Sequence, residues 1–193
     1  MSKRELARLE TRQRIVEATA RLHGENGVFG TTWKDIAREA DVSVATVYAH
    51  FPSLDELLPA CGALVMERVR PPTLDTLAEP LKGADSVEER LEAVATELFS
   101  FYERGGSLIE VDVRERELPG MREWEDHMRD MVTSFLRRAL AGERVDARTI
   151  RLISAFLDLP TFKALRARGI APGSAATTVA TIASGLLAQR GKA

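Results

Sequence analysis

Cysteine is almost absent from this chain: Cys61 stands alone among 193 residues. No internal disulfide framework is open to it, and a reducing, cytoplasmic setting is the expectation. Long apolar runs are missing as well. None approaches the roughly 20 residues that a membrane-spanning helix needs, and the first residues are polar and charged, unlike a secretory signal. Histidine is scarce, and His23, His50 and His127 fall in separate expected elements without metal-ligand spacing. No H-E-x-x-H, C-x-x-C, glycine-rich phosphate loop or nucleophile elbow occurs. Together these gaps argue against an enzyme and give no reason to expect a metal or a cofactor. Neither sign of charge dominates, since 27 Lys and Arg face 29 Asp and Glu, so the chain lacks the basic footprint typical of nucleic-acid binders. A hydrophobic share of 45% nevertheless suffices for a packed core, in one medium domain or two small ones.

What the chain does have is concentrated between residues 31 and 58, TTWKDIAREADVSVATVYAHFPSLDELL. Three helix starts are spelled out there. Thr32 with Asp35 has capping-box spacing, Ser43 is an N-cap candidate, and Ser53 with Glu56 repeats the box. Two helices of about eight residues, parted by a turn at Ala40-Asp41-Val42, lead into a longer third. This is a helix-turn-helix pattern, and it makes DNA the first partner to consider. On the helix after Ser43 the 100° rotation per residue puts Val47 and Phe51 on one side, with Val44 near them. Ala45, Thr46, Ala49 and His50 face the other way, and Tyr48 lies on the flank. Ala45 and the Thr46 methyl suit a thymine methyl, and the Thr46 hydroxyl suits several bases. Tyr48 and His50 are placed to reach phosphate oxygens. An ordinary surface helix with small outward residues is the competing reading.

At this point the segment GVFGTTWKDIAREADVSVATVYAHFPSLDELL resembles the DNA-binding domain of TetR-family transcriptional regulators. The residues that carry the likeness are Gly27, Thr31, Thr32, Asp35, Ile36, Ala37, Ala40, Val42, Ser43, Thr46, Tyr48, Phe51, Glu56 and Leu57, within about residues 10 to 60. The resemblance implies an all-α fold: a three-helix DNA-binding domain over 1–53 and a helical effector-binding and dimerisation domain over 54–193. It implies a recognition helix near 44–50, with Thr32, Tyr48 and His50 on phosphates and Ala45 and Thr46 on bases; Lys34 completes the DNA-binding set. Asp41 stands where the family usually has glycine, a change a left-handed turn tolerates. Val44 and Leu54 stand where positive charge is common, which lowers the expected electrostatic contribution. Residues 1–52 hold eight Lys or Arg against seven Asp or Glu, but Lys3, Arg4, Arg8, Arg12 and Arg14 crowd the first fourteen positions. That basic arm can serve phosphates or simply form a solvated helix end.

Helical spacing continues through the remainder. A helix is expected over 8–25, and Ile15, Leu22, Phe29, Ile36, Val47, Phe51 and Leu57 form the expected N-terminal core. Further helices are expected from Leu54 to about Arg70, where Pro71-Pro72 stops the chain, and over 85–104 and 121–140. Within 107–118 Ile109, Val111 and Val113 alternate with charged residues at strand period, but the resemblance implies a helix here, and a lone strand has no partner, so a helix is expected. Phe101, Tyr102, Trp124, His127, Met128 and Met131 form a candidate small-molecule pocket, although such a stripe is also ordinary core. The last two helices, 147–159 and the one after Pro172, are apolar around much of their girth. They suit a two-fold homodimer through Ile153, Phe156, Val179, Ala183 and Leu186, or else an intrachain bundle. The resulting expectation is a dimeric regulator, a repressor released from a palindromic operator by an unknown small molecule. A regulator without an effector is the alternative, and a helical enzyme a remote one.

Overall fold

The computed structural model describes residues 2–190, and every regular element within them is helical. In order they are α1 (Lys3–Asn26), α2 (Trp33–Glu39), α3 (Val44–His50), α4 (Leu54–Val69), α5 (Ala78–Lys82) and α6 (Val87–Gly105). After two short 3-10 turns, Gly106–Ile109 and Glu115–Glu117, come α7 (Pro119–Ala139), α8 (Ala147–Phe156), α9 (Leu159–Arg166) and α10 (Pro172–Arg190). Contacts divide the chain into two compact units. The first holds residues up to Arg70 together with Gly105–Trp124; the second holds Pro71–Arg104 and residues from Glu125 onward. Helix α4 thus packs against α1, in the same unit as α2 and α3. Among the described residues no helix is long and apolar enough to cross a membrane.

Local chemistry explains the helix ends of the first unit. Ser2 and Glu5 form a reciprocal capping box on α1, and Thr32 and Asp35 form another on α2. Ser43 accepts from the Thr46 N–H at 3.0 Å to open α3, and Ser53 accepts from the Glu56 N–H to open α4. Between α2 and α3 the chain reverses through Asp41 at φ 53°, and the Val42 N–H closes the turn on the Ala37 carbonyl at 3.0 Å. An aspartate bears this left-handed geometry where a β-branched residue would be strained. Arg70, also left-handed, ends α4 ahead of the two prolines.

The core of this unit is formed by Ile15, Ile36, Val47, Phe51 and Leu57, all buried, with Leu22 packed at its edge. Phe29 is a correction: it is 53% exposed, and neighbouring Val28 is the residue that turns inward. Gly27, at φ 72°, redirects the chain at the end of α1 so that one of two adjacent apolar side chains must face out. The expected helix over 107–118 is corrected as well. Ile109 is buried and Val113 is exposed, but the segment belongs to no sheet and to no α-helix. Its backbone is satisfied by carboxylates instead: Asp112 accepts from the Arg114 N–H at 2.8 Å, and Glu115 accepts from the Asp112 N–H at 3.3 Å.

In the second unit α6 buries Leu91, Val94, Ala95, Leu98, Phe99, Phe101 and Tyr102. The rings of Phe99, Phe101, Tyr102 and Phe162 interlock at centroid separations of 5.0 to 6.1 Å. Helix α10 lies against α6 through small residues and hydroxyls. Thr177 donates to Glu92 at 2.6 Å, and Thr181 and Ser184 donate to Glu88 at 2.8 and 3.1 Å. Pro160 restarts the chain as α9 rather than kinking a continuous helix, with Asp158 capping the new start.

Candidate functional site

Helix α3 presents a sharply divided surface. Val47 and the following Phe51 are buried, while Ala45, Tyr48 and Ala49 are exposed and Thr46 and His50 half-buried. Val44, expected near the inner side, is also exposed, because it occupies the first turn before the helix meets the core. The two alanines let the α3 backbone approach a groove floor closely, as direct base readout requires. The Thr46 hydroxyl lies 2.8 Å from that of Ser43, so one of its hydrogen-bonding capacities is engaged in the cap and another stays available.

Tyr48 is held from behind. Its ring stacks on Trp33 at 4.8 Å between centroids and 28° between planes, a contact that fixes its direction at the edge of α3. The Thr32 hydroxyl is bound to Asp35, and hydrogen bonds from Thr32 hold that carboxylate below its usual pKa, with Arg38 adding to the effect. Thr32 therefore secures the start of α2, where Lys34 is an exposed charge. The basic arm is helical and belongs to α1. Arg12 sits 4.6 Å over the Phe51 ring, and burial together with Arg8 and Arg12 lowers the pKa of His50. The end of α3 is thus flanked by cations that the balanced charge count conceals.

A second feature of the first unit is a pocket of about 330 Å³ between the last turns of α1, the middle of α4 and the segment around 107–124. Leu58, Val65, Ile109 and Trp124 give it apolar walls, and the Trp124 Nε1–H donates to the Ile109 carbonyl at 3.5 Å. Glu115, only 4% exposed, reaches across it to accept the Val28 N–H at 2.5 Å. Burial raises the Cys61 thiol to about 11, which keeps it protonated and unreactive at neutral pH. Burial also pushes His23 down to about 4 from 6.5. Because the unfolded chain then binds the extra proton, stability falls as pH drops through the window from 6.5 to 4. From pH 7 to 5 the loss due to His23 is expected to be about 2 kcal/mol. Urea titrations of the native protein and of His23→Gln at both pH values measure it; an equal loss in both would assign the effect elsewhere.

Residues 15–61 match the family described as bacterial regulatory proteins, tetR family. The HTH-type transcriptional repressor KstR of Rhodococcus jostii (strain RHA1) is 30% identical over 108 residues, 56% of this chain and 48% of that one. A TetR-like transcriptional regulator from Rhodococcus sp. RHA1 shares the fold at a TM-score of 0.62 and 18% identity, over 92% of this chain and 96% of that one. The multidrug binding protein EbrR, solved in complex with imidazole, shares it at a TM-score of 0.59 and 24% identity, over 89% and 93%. Residues 15–61 carry the tetR-family segment. The chain spans about half the length of the curated relatives it matches.

The residues expected to meet DNA gather on one unit, with Ala45, Thr46, Tyr48 and His50 on α3 and Thr32 and Lys34 at the start of α2. The expected small-molecule set is dispersed. Phe101 and Tyr102 are buried in the second unit, where the Tyr102 hydroxyl donates to the Leu157 carbonyl at 3.0 Å and burial raises its pKa. His127 is exposed and Met128 and Met131 are half-buried on α7; of the six only Trp124 lines the pocket. Sequence reasoning missed Trp33 and Glu115. The spacing of Trp33 beside the Thr32 cap offered a hint; Glu115 offered none, because its partner is 87 residues away. Of the expected dimer residues, Ile153, Val179 and Ala183 are buried inside the protomer, while Phe156 and Leu186 are half-buried; Leu152 and Ile182 are exposed on the same helices, α8 and α10.

Proposed function

We propose that this chain is a dimeric DNA-binding transcriptional regulator, a repressor that leaves a palindromic operator when a small molecule enters the first unit's pocket. The observation carrying this reading is the α3 surface: small and hydrogen-bonding residues outward, a stacked tyrosine on the flank, and Arg8 and Arg12 beside its end. One such helix offers few base contacts. Two, related by a dyad and spaced by one helical turn of about 34–36 Å, read an inverted repeat. The exposed apolar residues Leu152 and Ile182 support a dimer through α8 and α10. The pocket supports small-molecule control because it touches α1 and α4 of the unit that carries α3, and a ligand with unequal affinity for two arrangements shifts their balance. The use of this fold by EbrR, a multidrug binding protein, agrees with it.

The interlocked aromatic core of the second unit favours a second reading, a regulator without an effector that acts through a protein partner. Selection of bound duplexes from a random pool tests the main proposal, with an inverted repeat as the expected product. Tyr48→Ala is expected to weaken binding to every sequence alike, by about tenfold, through lost backbone positioning. Thr46→Val is expected to change preference at one position in each half-site, by about 1–3 kcal/mol of discrimination. Undiminished, unaltered binding by both variants would assign recognition to another surface.

A further inference from the structure

We infer that the pocket is built for a lipophilic cation, an aromatic or alicyclic body bearing one amidinium or ammonium group, with Glu115 as its counter-charge. This rests on the small-molecule reading above, which says that the pocket is used but not by what chemistry. A volume of about 330 Å³ lies at the lower end of ligand pockets and suits one or two rings. The walls are apolar, so the body of the ligand must be apolar to gain from burial. The ionisable groups among the described lining residues are not balanced in sign. Glu110, Glu115 and Glu123 line the pocket, and no lysine or arginine does. His23 also lines it, but burial keeps it neutral at pH 7. An anionic ligand would enter a field of its own sign.

Glu115 supplies the specific contact. Its two oxygens accept the backbone N–H groups of Val28 and Asp112, so it acts as an acceptor at both ends while 4% exposed. A carboxylate offers about four acceptor positions. Two neutral donors leave room for a charge-assisted bond, and a buried carboxylate gains more from a cation held beside it among apolar walls than an exposed one would. The consequence reaches the DNA-facing helices. Val28 lies between Gly27, which ends α1, and Thr32, which caps α2; a cation that draws Glu115 toward itself weakens the bond to Val28.

The probes are 2-naphthamidine, 2-naphthamide and 2-naphthoate, near-isosteres that differ in charge, titrated calorimetrically into the full chain at pH 7. The amidine is expected to bind about tenfold more tightly than the amide, the difference between a charged and a neutral hydrogen bond, with the carboxylate weakest. In Glu115→Gln an amide carbonyl still accepts the Val28 N–H, and the preference for the amidine is expected to disappear while amide binding persists. Equal binding of amidine and amide to the native protein, or a preference that survives in Glu115→Gln, overturns the inference. The native comparison decides alone if that variant proves unstable. Retention of the selected duplex is read in the same samples. Amidine binding without release upholds the ligand class and removes small-molecule control; equal release by amidine and amide removes the class and upholds control.

Discussion

Phe51→Ala is expected to destabilise the first unit by about 3–5 kcal/mol, a large share of the about 5–15 kcal/mol that holds a typical domain folded. The residue is 1% exposed and closes the core at the exit of α3, among Ile15, Val47 and Leu57. Its ring also carries the Arg12 guanidinium at 4.6 Å, so truncation removes both packing and the surface on which the basic arm rests. Neighbouring side chains cannot close the gap, because α3 is only seven residues long and is held by the Ser43 cap at its other end. Phe51→Leu keeps most of the volume and is expected to cost under about 1.5 kcal/mol. Urea denaturation followed by circular dichroism separates the two. A loss below 1 kcal/mol for the alanine variant would mean that α3 is anchored elsewhere. DNA binding should fail in Phe51→Ala at temperatures where Tyr48→Ala stays folded and merely weak, which distinguishes loss of the scaffold from loss of a contact.

The parts of this molecule that sequence made legible share one property: their causes lie within three or four residues. Thr32 finds Asp35, Ser43 finds the Thr46 N–H, and Asp41 takes a left-handed turn that its own short side chain permits. Capping depends on residue type at fixed spacing, so it survives the absence of any tertiary knowledge. Legibility ends where the inward direction of a side chain depends on a neighbour distant in sequence. Val28 and Phe29 are both apolar and adjacent, and only the left-handed Gly27 decides which one enters the core. Likewise the stripe on α10 correctly marked a packed face, but the partner covering Val179 and Ala183 belongs to the same chain. A hydrophobic period says that a face is buried, not by whom.

The segment around 107–118 was illegible for a further reason. Its alternation of Ile109, Val111 and Val113 is a strand signal, and its setting among helices is a helix signal, yet neither ladder forms. Glu115 and Asp112 take up backbone donors that a helix or a sheet would otherwise use. Gly27 is part of the same arrangement: a Cβ there would come within 2.7 Å of the Glu115 carboxylate, in a backbone conformation that already favours glycine. A buried acid in an apolar region reads from sequence as a surface charge. Only the fold, which brings residue 115 to residue 28, turns it into a wall of the pocket and a support for the entry to α2.

Ile182→Asp is expected to separate folding from assembly and to lower affinity for the inverted repeat by about 10²–10⁴. The side chain is 44% exposed on the outer face of α10, so the aspartate meets water in a lone protomer and leaves its core intact. Across a two-fold axis the same residue would face apolar surface, and an unpaired carboxylate buried there opposes association. Each protomer would then bind one half-site on its own, without the local concentration that a linked second helix enjoys. Sedimentation at micromolar protein should show a single subunit, melting should be near that of the native protein, and binding to an isolated half-site should be unchanged. Ala183→Asp, one position along, is the contrasting case. Ala183 is 1% exposed within the protomer, so a charge there is expected to unfold the second unit rather than divide a dimer. If Ile182→Asp remains a dimer with undiminished affinity, the assembly surface does not run over this face of α10. Leu152, 43% exposed on α8, then becomes the position to test next, because it offers the other large apolar side chain left uncovered on these two helices.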